Sequence, residues 1–188
     1  MASILEHAAV RDAALPITVE QYHRLGESGI IDQRTELLHG VIVEKMVKSP
    51  EHSWLVQQLV DWLRAGLDAS WQVRQEQPLT FADSEPEPDI AVVHGSADDF
   101  RRRHPQTAAL VIEVALRSEA IDRQKANTYA QAGIDEFWLV LPHAGAVECF
   151  TEPTSAGYAQ RRLVQKGDML NPLLAPALRL AVEDLLQA

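Results

Sequence analysis

Ala108-Ala109-Leu110-Val111-Ile112-Glu113-Val114-Ala115 is the stretch whose reading decides the fold. All but one of its side chains are apolar, and it has the length of a central strand covered on both faces. The exception is Glu113. An ionised carboxylate in such surroundings costs several kcal/mol unless it is paired, hydrogen-bonded or bound to a metal. Glu113 therefore demands a partner, and two readings stand open: a strand-end acid in a buried salt bridge, or a functional acid.

Outward from that strand, Ser118 to Gly133 (SEAIDRQKANTYAQAG) reads as a helix closed by its glycine, and Glu136 to Pro142 (EFWLVLP) as another strand. Strand, helix and strand in this order form a right-handed crossover joining parallel strands. On the helix, Lys125 stands four residues from both Ile121 and Tyr129, and this stripe is expected to face the sheet. An inward lysine wants a carboxylate, and the helix starts just past the strand of Glu113. Without acids nearby, Lys125 would bury its stem and send its amine to water.

Before the strand, Pro88-Asp89 precedes Ile90-Ala91-Val92-Val93 and sets an acid at a strand mouth. Alone, Pro-Asp is a common turn dipeptide. WQVRQEQPLTF (71–81), AVECFTE (146–152) and YAQRRLVQ (158–165) are further β-prone segments. Ser49-Pro50 signals a helix start, followed at helical spacing by Trp54, Leu55, Leu59, Trp62, Leu63 and Leu67. ELLHGVIVEKM (36–46) reads as a hairpin turning at His39-Gly40, with Glu36 at its start and Glu44 as a solvent-facing strand end. Thr18 and Gln21 form a capping-box pattern opening the helix TVEQYHRLGES. Residues 1–16 are expected to be a weakly specified lead-in, and 17–188 one domain. The fold class is α/β of the α+β kind, a mixed β-sheet core flanked by helices.

The chain has 188 residues, 46% hydrophobic and 23% charged, as ordinary globular proteins do. Lys and Arg number 17 against 27 Asp and Glu, a formal net charge of −10 that works against non-specific binding of a polyanion. Arg101 to Arg103 and Arg161-Arg162 are local basic runs that can meet phosphates, or simply solvated faces. A lone cysteine, Cys149, excludes an internal disulfide and a thiolate-rich zinc site. No apolar run approaches the roughly 20 residues that span a bilayer. A cytoplasmic protein without a membrane span is expected. His52, in the first turn of the long helix, is either a helix-start residue or an accessory group.

The ordered set of TELLHGVIV (35–43), Pro50 to His52, PEPDIAVV (86–93), LVIEVA (110–115) and DRQKANTYAQAGIDEFWLV (122–140) resembles the PD-(D/E)XK nuclease superfamily, and more narrowly the Uma2 family of restriction-endonuclease-like proteins. The general superfamily pattern has its lysine two residues after the Glu, where this chain has Ala115; Uma2-like chains carry it on the next helix, where Lys125 stands. Thr35 replaces a frequent Tyr, and Leu116-Arg117 replaces small polar and Pro residues. The resemblance implies an endonuclease hydrolysing DNA phosphodiester bonds. It implies Glu36, Asp89, Glu113 and Lys125 as the catalytic set, and Mg²⁺ (or Mn²⁺) on Asp89, Glu113 and the Val114 carbonyl. Lys125 would orient or deprotonate water, with His52 and Tyr129 as accessories. Three other readings stay open: a catalytically silent binding module, a hydrolase of small phosphoesters, and a structural protein whose acids pair with Arg117 and Arg123. Sheet edges leave a homodimer open.

Overall fold

A computed structural model describes residues 7–32 and 34–186; the first six lead-in positions lie outside the described residues. The elements are α1 (Ala8–Ala13), α2 (Val19–Glu27), β1 (Thr35–Leu38), β2 (Val41–Glu44), α3 (Pro50–Gly66), β3 (Trp71–Gln75), β4 (Ile90–His94) and β5 (Leu110–Val114). They continue as α4 (Glu119–Gln131), β6 (Glu136–Leu141), β7 (Ala146–Thr154), β8 (Gly157–Gln165), β9 (Met169–Leu170), β10 (Leu180–Ala181) and α5 (Val182–Leu185). Six strands make one sheet in the order β3-β4-β5-β6-β7-β8. The β5–β6 pair is parallel and its neighbours are antiparallel. This is the mixed sheet with one crossover that the pattern around Glu113 requires. Among the described residues, no helix is long and apolar enough to cross a membrane.

Strand alternation sends side chains to two apolar layers. Ile90, Val92, Ile112, Val114, Trp138 and Val140 pack with α3 and α5 on one face. Ala91, Val111, Phe137 and Leu139 pack with Ala126 and Tyr129 of α4 on the other. Glu113, one residue out of phase with Ile112 and Val114, consequently points to the α4 side. The register Ile90↔Ile112, Ala91↔Val111, continued by one position, places Asp89 beside Glu113 on that side.

Local signals in the sequence hold where side chains cap or break the backbone. Thr18 accepts from the Gln21 amide and the Gln21 side chain accepts from Thr18, completing the capping box. Ser49 caps α3 through the His52 amide, with Pro50 in the first turn. Three expectations fail. Trp54 is 47% exposed, because the buried stripe of α3 runs through His52, Leu55, Val56, Leu59, Val60 and Leu63. The segment 71–81 is strand only to Gln75, since Glu76 takes φ +52° and turns the chain out of the sheet. Ile121 is exposed, and Asp122 turns inward in its stead.

The hairpin β1–β2 stands apart from the main sheet and carries Glu36 inward, opposite Val43. His39 (φ +48°) and Gly40 (φ +74°) both occupy the left-handed region that a tight hairpin turn requires. The turn docks on α4: Thr128 Oγ1 lies 2.9 Å from His39 Nε2, while His39 Nδ1 is 3.1 Å from Asp83 Oδ2. The Ile17 amide donates to the Gly40 carbonyl at 3.0 Å, and a Cβ on Gly40 would come 2.3 Å from Pro16 Cβ. Gly40→Ala is expected to destabilise the fold by about 1–3 kcal/mol. Urea unfolding measures it, and an unchanged midpoint would refute the tight approach.

Candidate acidic site

The site is a cleft of about 380 Å³ between the hairpin's trailing segment, the start of α3 and the carboxyl ends of β5 and β6. Glu36, Asp89, Glu113, Val114, His52 and Lys125 all line it. At its centre Lys125 Nζ lies 2.9 Å from Glu36 Oε1, 3.1 Å from Glu113 Oε1 and 3.5 Å from Asp122 Oδ1. Lys125 is 6% exposed, so its amine stays inside among acids and does not reach out to water. The Asp89 amide donates to Glu113 Oε2 at 3.3 Å, and Asp89 Oδ2 accepts from the Val114 amide at 2.8 Å. Glu113 thus holds the Asp89 amide, and Asp89 holds the amide of the residue that follows Glu113. The Glu87 amide donates to Glu36 Oε2 at 3.2 Å, tying the hairpin acid to the Pro-Glu-Pro-Asp segment.

Supporting groups come from further elements. The fully buried Tyr129 donates its hydroxyl to Glu113 Oε1 at 2.7 Å. His52 Nε2 is 3.0 Å from Asp89 Oδ2, while its buried Nδ1 has no partner. With one ring nitrogen committed to Asp89, His52 is a positioning residue for that carboxylate. Lys48 was not anticipated from the sequence. Its Nζ lies 3.3 Å from Asp89 Oδ1 and 2.9 Å from Glu76 Oε1. No periodicity marks it, because it sits in the irregular segment between β2 and α3. Asp122, within the stretch DRQKANTYAQAGIDEFWLV, is buried too, with Ser118 bonded to its carboxylate. The salt bridges proposed with Arg117 and Arg123 do not form. Arg123 pairs with Glu119 and Glu148, on the far side of α4.

Two adjacent carboxylates are driven apart in proton affinity. Burial raises the Glu113 pKa from 4.5 to about 8, against the pull of Lys125 and with the push of Asp122, Asp89 and Glu36. Burial acts on Asp89 in the same direction, but hydrogen bonding and charge from His52, then Lys48 and the Val114 amide, outweigh it and hold its carboxyl below the usual range. Burial would also lower the Lys125 pKa, and Glu113, Glu36 and Asp122 overcome this and raise it. The directions for Glu113 and Lys125 agree once the cluster is counted whole. Five acids, Glu36, Glu76, Asp89, Glu113 and Asp122, share Lys125 and Lys48, so a surplus of negative charge draws a proton or another cation to the buried Glu113.

A folded-state pKa raised from 4.5 to about 8 means that the native protein binds more protons than the unfolded chain between these values. This contribution is present in full below pH 4.5 and is lost as pH rises through about 8. Without divalent ions, the parent should lose a few kcal/mol across that window relative to Glu113→Gln. Denaturant titrations at a series of pH values measure the difference, and parallel curves would show that Glu113 is not the titrating group.

The donors suit a hard cation, being carboxylate and carbonyl oxygens on a cluster with surplus negative charge. Among the described residues, no three Asp, Glu, His or Cys side chains form a ready-made cage. A cation here would rest on two carboxylates, Asp89 and Glu113, with backbone carbonyl and water oxygens completing its coordination, which is how Mg²⁺ is commonly held.

A half-open mixed sheet with one parallel crossover, and acids with a buried lysine at its carboxyl edge, define a restriction-endonuclease-like α/β protein. The model of the Uma2 family, described as "Putative restriction endonuclease", matches residues 19–183, and the chain belongs to that family. The crystal structure of a "putative nuclease" from Anabaena variabilis ATCC 29413 superposes with a TM-score of 0.77 at 20% identity, covering 92% of this chain and 98% of that one. At that identity the likeness is one of fold. No curated protein matches the chain.

Proposed function

We propose that the chain is a metal-dependent endonuclease hydrolysing DNA phosphodiester bonds, with Glu36, Asp89, Glu113 and Lys125 as its catalytic set. The observation that carries this reading is the convergence of one ammonium and the acids of three separate segments in one cleft, Lys125 touching both Glu36 and Glu113. Membership of the Uma2 family supports it. Asp89, Glu113 and the Val114 carbonyl would hold Mg²⁺ or Mn²⁺, which when bound supplies positive charge to the phosphate and acidifies water.

The chain's own groups do the rest. His52 and the Val114 amide fix the Asp89 carboxylate, and Tyr129 fixes Glu113. Lys125, whose facing acids keep it protonated, orients the attacking water and stabilises negative charge gathering on phosphorus. It is no proton acceptor, so the water's proton passes to a carboxylate of the cluster. Glu36 aligns Lys125.

Supercoiled plasmid incubated with Mg²⁺ or Mn²⁺ should be nicked and linearised, and chelation should stop it. DNA left intact under all these conditions would remove the assignment. The net charge of −10 favours a second reading, a catalytically silent binding or regulatory module of the same fold; that module would leave DNA uncut with every divalent ion. Turnover of small phosphoesters with inert DNA would point to a third.

A further inference from the structure

The cations of the cleft are not equivalent. Lys45 Nζ is 2.9 Å from Glu87 Oε2, Lys48 is held between Glu76 and Asp89, and Lys125 is shared by three acids. His52 is taken by Asp89. Two basic side chains of the lining remain, Arg117 and His143, both exposed and neither in an ion pair or hydrogen bond among the described residues. Carboxylates outnumber Lys and Arg side chains in the lining by seven to four, so a phosphate approaching the cleft is repelled everywhere except where a cation is unspent.

Topology puts these two groups together. Val114 of β5 and Val140 of β6 are register partners in the parallel pair. Arg117 and His143 each stand three positions beyond their partner, where both strands leave the sheet at its carboxyl edge. Ligands of open α/β sheets bind outside the carboxyl ends of parallel strands. The pair therefore lies at the lip of the cleft floored by Glu113.

We propose that Arg117, assisted by His143, anchors a backbone phosphate of the nucleic acid next to the one undergoing hydrolysis. The guanidinium fork donates to both non-bridging oxygens of a phosphodiester, and an imidazole offers at least one N–H donor in either protonation state. This proposal rests on the nuclease reading for the identity of the ligand, and goes beyond it in assigning where the substrate is gripped.

The test is binding of a fluorescein-labelled DNA oligonucleotide, followed by anisotropy over a range of salt concentrations, with Ca²⁺ in place of Mg²⁺. Arg117→Ala should weaken binding about tenfold and lower the slope of log affinity against log salt by about 0.7 to 0.9. Arg117→Lys should restore the slope and only part of the affinity. His143→Ala should produce a smaller loss of the same kind. Replacing the contacted phosphate by a neutral methylphosphonate should cost the parent at least as much as the Arg117→Ala change costs, and cost a variant lacking both Arg117 and His143 nothing more. Arg117→Ala with the parent's affinity and slope would overturn the anchor even if DNA is cut in Mg²⁺. Binding with an Arg117-dependent slope but no cutting would keep the anchor and remove the nuclease reading. A parent that binds no DNA would overturn both.

Discussion

Asp89→Asn should lower DNA cleavage by at least about a thousandfold while leaving a folded protein. The Asp89 carboxylate is bound on three sides, by the Val114 amide at 2.8 Å, His52 at 3.0 Å and Lys48 at 3.3 Å. The amide oxygen of Asn can keep the Val114 bond, so β4 and β5 stay joined. Its nitrogen, in the place of Oδ1, would meet Lys48 donor to donor, and the charge is lost. The expected stability change is about 1–3 kcal/mol. The decisive companion measurement is the rise of melting temperature with Mn²⁺, which follows from mass action on the native state. The parent should show it and the variant should not. A variant that cuts DNA at the parent's rate would place the cation elsewhere.

Lys125→Met should remove both cleavage and much of the stability. It strips the cation from Glu36, Glu113 and Asp122, all buried. Breaking a buried ion pair on one side typically costs about 3–5 kcal/mol, because the remaining charge stays unsolvated. The carboxylates can escape by taking up protons, so the loss should shrink as pH falls below the ordinary carboxylate range and grow as pH rises. Lys125→Arg should return stability in part, with little cleavage, since a planar guanidinium does not present the point charge of an ammonium. A methionine variant as stable as the parent at every pH would show that the ammonium does not neutralise the cluster. Comparison of unfolding with cleavage across the three proteins separates folding from chemistry.

Much of this architecture was legible because the strongest sequence signals are local. The out-of-phase Glu113 in an apolar strand and the Ser49-Pro50 and Thr18-Gln21 helix starts are fixed by neighbours within a few residues. Lys125 was legible too, as an inward lysine on the crossover helix. What stayed hidden depends on distant contacts. Lys48 joins the site through Asp89 and Glu76, acids that lie far along the chain from it. His143 reaches the cleft through the β5–β6 register, which periodicity does not reveal. Trp54 and Ile121 misled because an apolar residue beside a buried stripe looks the same in sequence whether it lies on the stripe or just off it.

The hairpin turn clasped to α4 through His39 and Thr128 has a further consequence. Glu36 arrives with the hairpin and Lys125 with the helix, so the charge pair exists only after distant parts of the polypeptide have docked. A nascent chain on the ribosome, before Lys125 emerges, carries Glu36 and Glu113 without the ammonium that joins them. The cluster of the cleft is thereby finished only by that docking, and an unfinished polypeptide that lacks the helix cannot assemble it.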